Sequence, residues 1–192
     1  MQLAPDNISG AGANKNATQW WHFCSSLLIR PYHFAPAGFQ QCVSPILVSP
    51  NYLSWSMTTL GWDATCCNHI ASWAQLQDRQ TGRKFYFFSV HFDHEGEVAR
   101  RESAKLMLRK VKEIAGSEPV IVAGDLNSVP ETEQVAIMKS RLADAFDISA
   151  KPAYGPVGTF NRFKIDSPLT ERIDRIFASP HVKVLSYATL TD

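Results

Sequence analysis

The run Val120-Ile121-Val122-Ala123, bounded by Pro119 and Gly124, most constrains how this chain can fold. A strand with one wet face alternates apolar and polar positions; an unbroken apolar run reads instead as a short strand buried on both faces. Such a strand needs cover above and below, which points to a layered α/β domain. Asp125 and Asn127 follow at once. Two residues apart on an extended chain, they aim to the same side and can converge on one ion or one phosphate. Gly, Asp and Asn are also the usual turn formers, so Gly124-Asp125-Leu126-Asn127 reads equally as a turn.

The flanking sequence supplies the rest of the layer. His69 to Leu76 and Phe85 to His91 are expected to form a hairpin around the polar turn Asp78-Arg79-Gln80-Thr81-Gly82. Glu97 to Ala115 is expected to be helical, with apolar Val98, Leu106, Met107, Leu108, Val111 and Ile114 among charged residues. Acidic residues precede it and Gly116 closes it. Pro130, Glu131 and Glu133 open a second helix predicted to reach about Leu142. After a Gly- and Pro-rich connection, two last strands are expected at Arg172 to Ala178 and Val182 to Ala188. Alternating strands and helices place functional groups on loops at the strand ends.

Charge divides the chain. Residues 1–60 hold only Asp6, Lys15 and Arg30 as charged groups and are rich in Ser, Pro, Trp and Cys, with no sustained helical or strand period. The domain is therefore placed at 61–192, after an atypical segment 1–60. The whole chain carries 19 basic and 18 acidic residues, too even a balance to indicate a nucleic-acid or anionic-membrane surface. Cys24, Cys42, Cys66 and Cys67 show no Cys-x-x-Cys spacing, and the adjacent pair suits free thiols better than a disulfide. Asn7-Ile8-Ser9 and Asn16-Ala17-Thr18 match the glycosylation pattern, which is short enough to arise by chance. The N-terminus lacks the pattern of a signal peptide, and Arg30 and Pro31 interrupt the most hydrophobic window, so a soluble chain is expected.

Three other places could carry chemistry. In Ser89-Val90-His91-Phe92-Asp93-His94 the strand pattern sets His91 and Asp93 on one side. Two imidazoles and a carboxylate there could ligate a metal or stabilise a phosphoryl oxygen, or could be ordinary hydrogen-bonded residues at a sheet edge. In Arg172-Ile173-Asp174-Arg175-Ile176-Phe177 a carboxylate on an apolar strand is costly unless paired. Asp174 either orients a catalytic His or is salt-bridged to Arg172 or Arg175. Gly158-Thr159-Phe160-Asn161 offers a hydroxyl and an amide that could line a site, although turn chemistry explains them equally.

The order and spacing of these pieces resemble the endonuclease/exonuclease/phosphatase superfamily, the deoxyribonuclease-like metal-dependent phosphoesterases. The resemblance rests on the 89–94 strand end, Arg100 and Arg101 with their helix, Gly124-Asp125-Leu126-Asn127, Gly158-Thr159-Phe160 and Ile173-Asp174-Arg175-Ile176-Phe177. It covers about Gly61 to Asp192. Gly61-Trp62-Asp63-Ala64 and Ile70-Ala71-Ser72-Trp73-Ala74 look like a bacterial branch of that superfamily. It implies a partial four-layer α/β/β/α sandwich that hydrolyses phosphate esters with Mg²⁺ or Mn²⁺. By similarity, His91 would hydrogen-bond a phosphate oxygen, and Asp125 would ligate metal or orient the attacking water. Asn127 would hold the phosphate and share the metal with Asp125, and Asp174 would fix the ring of a general-base His. Asp93, Arg100 and Thr159 would be supporting residues. The implied partner is a phosphate-ester substrate, whether small molecule, lipid head group or nucleic acid; no stable protein partner and no membrane span are implied.

The departures from the family pattern are specific. Ser89 stands where Asn is usual. Residues 1–60 hold neither the early Asn strand nor the Gln-Glu pair whose Glu is a principal metal ligand, and Thr189-Leu190-Thr191-Asp192 precedes the point where a Ser-Asp-His strand would supply the catalytic His. Two origins are open for the first 60 residues: a divergent extension, or a segment translated out of its ancestral frame and poorly ordered. Three functional readings follow: a phosphoesterase, an inactive remnant or non-catalytic binding module of the same fold, and a nucleic-acid-binding domain, which the neutral charge balance disfavours.

Overall fold

The computed structural model describes residues 46–56, 62–63, 69–164 and 166–191, the first group by its backbone. They belong to one compact unit, Val43–Asp192. The four cysteines, both glycosylation sequences, Gly61, Ala64 and most of the low-charge segment lie outside the described residues.

Six strands form one sheet in the order β1-β2-β3-β4-β6-β5. They are β1 (Ile46–Ser56), β2 (Ile70–Asp78), β3 (Lys84–His91), β4 (Val120–Asp125), β5 (Ala143–Asp144) and β6 (Asp174–Ala178). β1, β2 and β3 run antiparallel, β3 and β4 run parallel, and β6 is antiparallel to both β4 and β5. β1 forms in a stretch whose sequence shows no strand period. The β2–β3 hairpin turns where expected, because the Asp78 carboxylate accepts hydrogen bonds from the N–H groups of Gln80 and Thr81, both at 2.8 Å.

The parallel pair β3 and β4 needs a long crossover, supplied by helix α1 (Glu97–Ala115). Its buried stripe is Ala99, Ser103, Ala104, Met107, Val111 and Ala115. Small residues on that stripe let the helix approach the sheet closely, while Val98, expected to be apolar cover, is 37 % exposed. Helix α1 has no cap from its own preceding residues. Instead Asp63, 35 residues upstream, accepts hydrogen bonds from the N–H groups of Val98 (3.1 Å) and Ala99 (2.8 Å). Gly96 permits this, since a Cβ there would stand 2.6 Å from an Asp63 carboxylate oxygen.

Helix α2 (Glu133–Lys139) is shorter at both ends than the expected 130–142. Pro130 and Glu131 are spent in a turn, in which both the N–H and the hydroxyl of Thr132 bond to the Val129 carbonyl. A short helix α3 (Ala145–Ile148) follows β5.

The core lies between one face of the sheet and the helices: Phe88 and Val90 from β3, Val120 and Val122 from β4, and Phe177 from β6 meet Met107, Val111, Val135 and Met138. On the opposite face Phe87, Ile121 and Ile176 are only half-buried, so β4 is covered fully on one face and partly on the other. The strand expected at Val182–Ala188 does not form; a single bridge between Tyr154 and Ala188 takes its place. At the end of β6 where a hairpin would start, Phe177 and Ala178 are already paired on both sides, by β4 and β5. Among the described residues no helix is long and apolar enough to cross a membrane.

Candidate active site

Strand register assembles the site. His91 at the end of β3 is the direct partner of Asp125 at the end of β4, and Asp125 is the direct partner of Asp174 at the start of β6. Neighbouring partners in a sheet point to the same face, so three residues far apart in sequence form one row on the face away from the helices. His91 Nε2 lies 3.7 Å from Asp125 Oδ2. The close fit of β4 beside β3 depends on Gly124. Its φ is 148°, and a Cβ there would come within 1.9 Å of the Val90 carbonyl oxygen.

Asn127 joins the row through the turn that follows. Its N–H donates to Asp125 Oδ1 at 2.7 Å, and its side-chain nitrogen donates to the Phe92 carbonyl at 2.9 Å, with φ at 47° in the left-handed region that Asn tolerates. The strand and turn readings of Gly124-Asp125-Leu126-Asn127 therefore both describe it: β4 ends at Asp125 and a turn carries Asn127. Thr159 reaches the site from its loop. Its hydroxyl oxygen accepts from the N–H groups of Ile173 (3.2 Å) and Asp174 (3.1 Å).

Burial and proximity govern the proton affinities. Burial, and then the Asp174 carboxylate, push Asp125 up to about 7 against the pull of the Asn127 N–H. Burial also raises Asp174, with the Thr159 hydroxyl opposing it. His91 is lowered to about 4, first by burial and then by the imidazoles of His69 and His94, with Asp93 pulling the other way.

Asp93 does not share the site face with His91. β3 ends at His91, so strand alternation lapses and the Asp93 side chain turns inward, with no exposed surface. Its Oδ1 accepts from the N–H groups of Glu95 (2.8 Å) and Gly96 (2.6 Å), and Oδ2 faces His69 Nδ1 at 3.4 Å. Arg100 donates to the Asp93 carbonyl at 3.3 Å, bracing the loop from α1. His94 pairs with Glu95 at the surface, 3.6 Å apart. His91, Asp93 and His94 therefore do not converge on one ion.

The salt bridge considered between Asp174 and Arg172 or Arg175 is not made. Both arginines go to Asp144: Arg172 Nη1 at 3.0 and 2.9 Å from its two oxygens, and Arg175 Nη1 at 2.7 Å. β6 begins at Asp174, so Arg172 precedes the strand and escapes the alternation expected for it. Arg175 lies on the helix-side face with Phe177, whose partner across the sheet is Asp144. All three charged groups are buried, a costly placement that the shared hydrogen bonds offset. Arg175 Nη2 also donates to the carbonyls of Arg172 (3.1 Å) and Ser128 (3.4 Å), tying the start of β6 to the turn after Asn127. No local signal marks Asp144 or His69 in the sequence.

Among the described residues no three His, Cys, Asp or Glu side chains are placed to hold a metal ion together. The adjacent carboxylates of Asp125 and Asp174 nonetheless suit Mg²⁺, which commonly takes one or two carboxylates and completes its shell with water and phosphate oxygens.

The model of the endonuclease/exonuclease/phosphatase family matches residues 56–192. The chain belongs to this family. Among solved structures, it is similar to a Bacteroides vulgatus endonuclease/exonuclease/phosphatase, with 34% identity over 77% of this chain and 60% of that one and a TM-score of 0.71. It is also similar to a mannosyl-6-phosphatase from Bacteroides thetaiotaomicron, with 32% identity over 78% of this chain and 59% of that one and a TM-score of 0.70. The catalytic domain of human nocturnin shares the fold at 22% identity and a TM-score of 0.56, over 71% of this chain and 49% of that one. No curated protein sequence matches the chain. The chain spans about three-fifths of the length of the two bacterial structures.

Proposed function

We propose that the row His91–Asp125–Asp174, with Asn127 and Thr159, is a phosphoester-hydrolysing site that works with Mg²⁺ or Mn²⁺. The observation that carries this reading is the pair of neighbouring, half-hidden carboxylates whose proton affinities are raised. Like charges held together in a poorly solvated place call for a cation or a proton. Bound beside Asp125 and Asp174, the divalent ion would neutralise charge on the phosphate oxygens.

The chain's own groups do the remaining work. Asp125 stands where it could orient an attacking water beside the ion; its value of about 7 belongs to the chain without a cation, and a bound divalent ion would lower it and leave the carboxylate ionised. His91 is neutral at that pH and donates one N–H to a phosphoryl oxygen; the negative charge of the bound ester favours its protonation as the transition state forms. Asn127 is fixed by its bond to Phe92 and keeps the turn beside Asp125 rigid. Asp174, steadied by Thr159, holds up the proton affinity of Asp125.

Release of nitrophenol from mono- and bis-p-nitrophenyl phosphate with added Mg²⁺ or Mn²⁺, together with calorimetric titration of the ions, tests the reading. Turnover that disappears with chelator and in Asp125→Asn is expected; neither metal heat nor turnover would exclude it for this chain. A second reading, a non-catalytic binding module, is favoured by the lack of a third metal-ligating side chain among the described residues. Ion binding without turnover would select it. The mannosyl-6-phosphatase likeness makes sugar phosphates the first substrates to assay.

A further inference from the structure

His69 lies immediately before β2 and is 6 % exposed, although nothing in the sequence marks it as part of a site. Its Nδ1 stands 3.4 Å from Asp93 Oδ2. That carboxylate cannot swing away, because its other oxygen is held by the backbone N–H groups of Glu95 and Gly96. On the far side, the His69 ring meets the His91 ring edge to face, with centroids 5.3 Å apart and planes at 81°. His91 is thus held between His69 and Asp125, whose carboxylate lies 3.7 Å from Nε2.

We propose that His69 is a positioning residue for His91, itself anchored by the buried Asp93 carboxylate. Asp93 is held below the usual carboxylate range: burial would raise it, but the Gly96 and Glu95 N–H groups, then His69 and His94, outweigh burial. An ionised Asp93 accepts and does not donate, so its charge 3.4 Å from Nδ1 favours hydrogen on that nitrogen, through an electrostatic contact rather than an aligned hydrogen bond. A ring locked in this way presents a fixed edge to His91 and limits the orientations its imidazole can take. Partners one step removed from a reacting group set its geometry in this manner in carboxylate–histidine pairs generally. The kinetic consequence rests on the phosphoesterase reading; the orientation of His91 does not.

The test uses the ¹⁵N-labelled full chain and long-range imidazole ¹H–¹⁵N spectra at pH 7.5. Asp93→Asn keeps an oxygen for the Glu95 and Gly96 N–H groups but turns a donor toward His69. It is expected to move His69 to the opposite tautomer and to shift or broaden the His91 ring signals. His69→Asn keeps a donor near Asp93 but removes the ring, and it is expected to free His91 into a tautomer mixture with an unchanged far-ultraviolet circular dichroism spectrum. His91 ring signals identical to wild type in His69→Asn would overturn the proposal. Where the wild-type chain hydrolyses bis-p-nitrophenyl phosphate, kcat falls by about 10- to 100-fold in both variants with KM nearly unchanged. A fall in KM affinity with kcat preserved would also overturn it. A wild-type chain without turnover defeats the phosphoesterase reading alone, since the spectra still decide the role of His69.

Discussion

Replacing Asp125 with Asn should change how stability depends on pH in a direction and amount that the site fixes. Asp125 titrates at about 7 in the folded chain against 3.8 for an ordinary Asp side chain, so its proton affinity is raised by about 3 on the pH scale. At 1.36 kcal/mol per unit this amounts to a ceiling of about 4 kcal/mol, reduced by whatever water reaches the carboxylate. That side chain is 19 % exposed, so a realistic expectation is about half the ceiling. The sign follows from proton counts. Below pH 4 both folded and unfolded chains hold the proton; between 4 and 7 the unfolded chain releases it first, so stability falls as pH rises through this window. His91 acts in the opposite sense. Its folded value of about 4 lies below the 6.5 of an ordinary imidazole, so its contribution is lost as pH falls through that range. The wild-type slope mixes the two, and only the difference between wild type and Asp125→Asn isolates the carboxylate. Urea unfolding followed by circular dichroism at pH 4.5, 5.5, 6.5 and 7.5, without metal, should show the variant gaining about 2 kcal/mol relative to wild type across the series. A difference that does not vary with pH would refute the reasoning. In the phosphoesterase reading, Mg²⁺ at ten times its dissociation constant should add about 1.4 kcal/mol to wild type at pH 7.5 and little to the variant.

Other outcomes follow from single contacts. Gly124→Ala should lower stability by about 3 kcal/mol, read from the denaturation midpoint, because the new methyl strikes the backbone of β3. Asp144→Ala should cost about 3–5 kcal/mol by the same measurement, since it leaves Arg172 and Arg175 buried without their shared counter-charge; Asp147→Ala, whose Asp147 makes a surface pair with Lys139, should leave stability within experimental error. Asp63→Ala should speed amide hydrogen exchange at Val98 and Ala99 without changing exchange at the C-terminal end of α1.

Much of this arrangement was legible in the chain itself. The apolar run at 120–123, the charged amphipathic stretch ending at Gly116 and the hairpin turn at 78–82 are local signals, and each made the expected element because neighbouring residues alone satisfy its period and its turn. Motif order placed His91, Asp125, Asn127 and Asp174 at or just past strand ends; strand register set His91, Asp125 and Asp174 in one row, and the turn after β4 brought Asn127 beside it. Local periodicity misled where an element needs a partner. Val182–Ala188 has strand-like composition, but the end of β6 on which it would fold back is already paired on both sides, and Val98 has the right hydrophobicity on the wrong side of α1.

What only the tertiary structure decided are the contacts between distant residues: Asp63 capping a helix 35 residues later, Asp144 gathering the two arginines that flank Asp174, and Asp93 turning inward to His69. A sequence pattern records which residues suit water or the core along one element. It carries no record of which buried charge meets which, because that depends on how separate elements are brought together when their apolar faces close. The row of site residues lies between these cases: alternation chose the face of each strand, and the pairing of β3, β4 and β6 chose the neighbours.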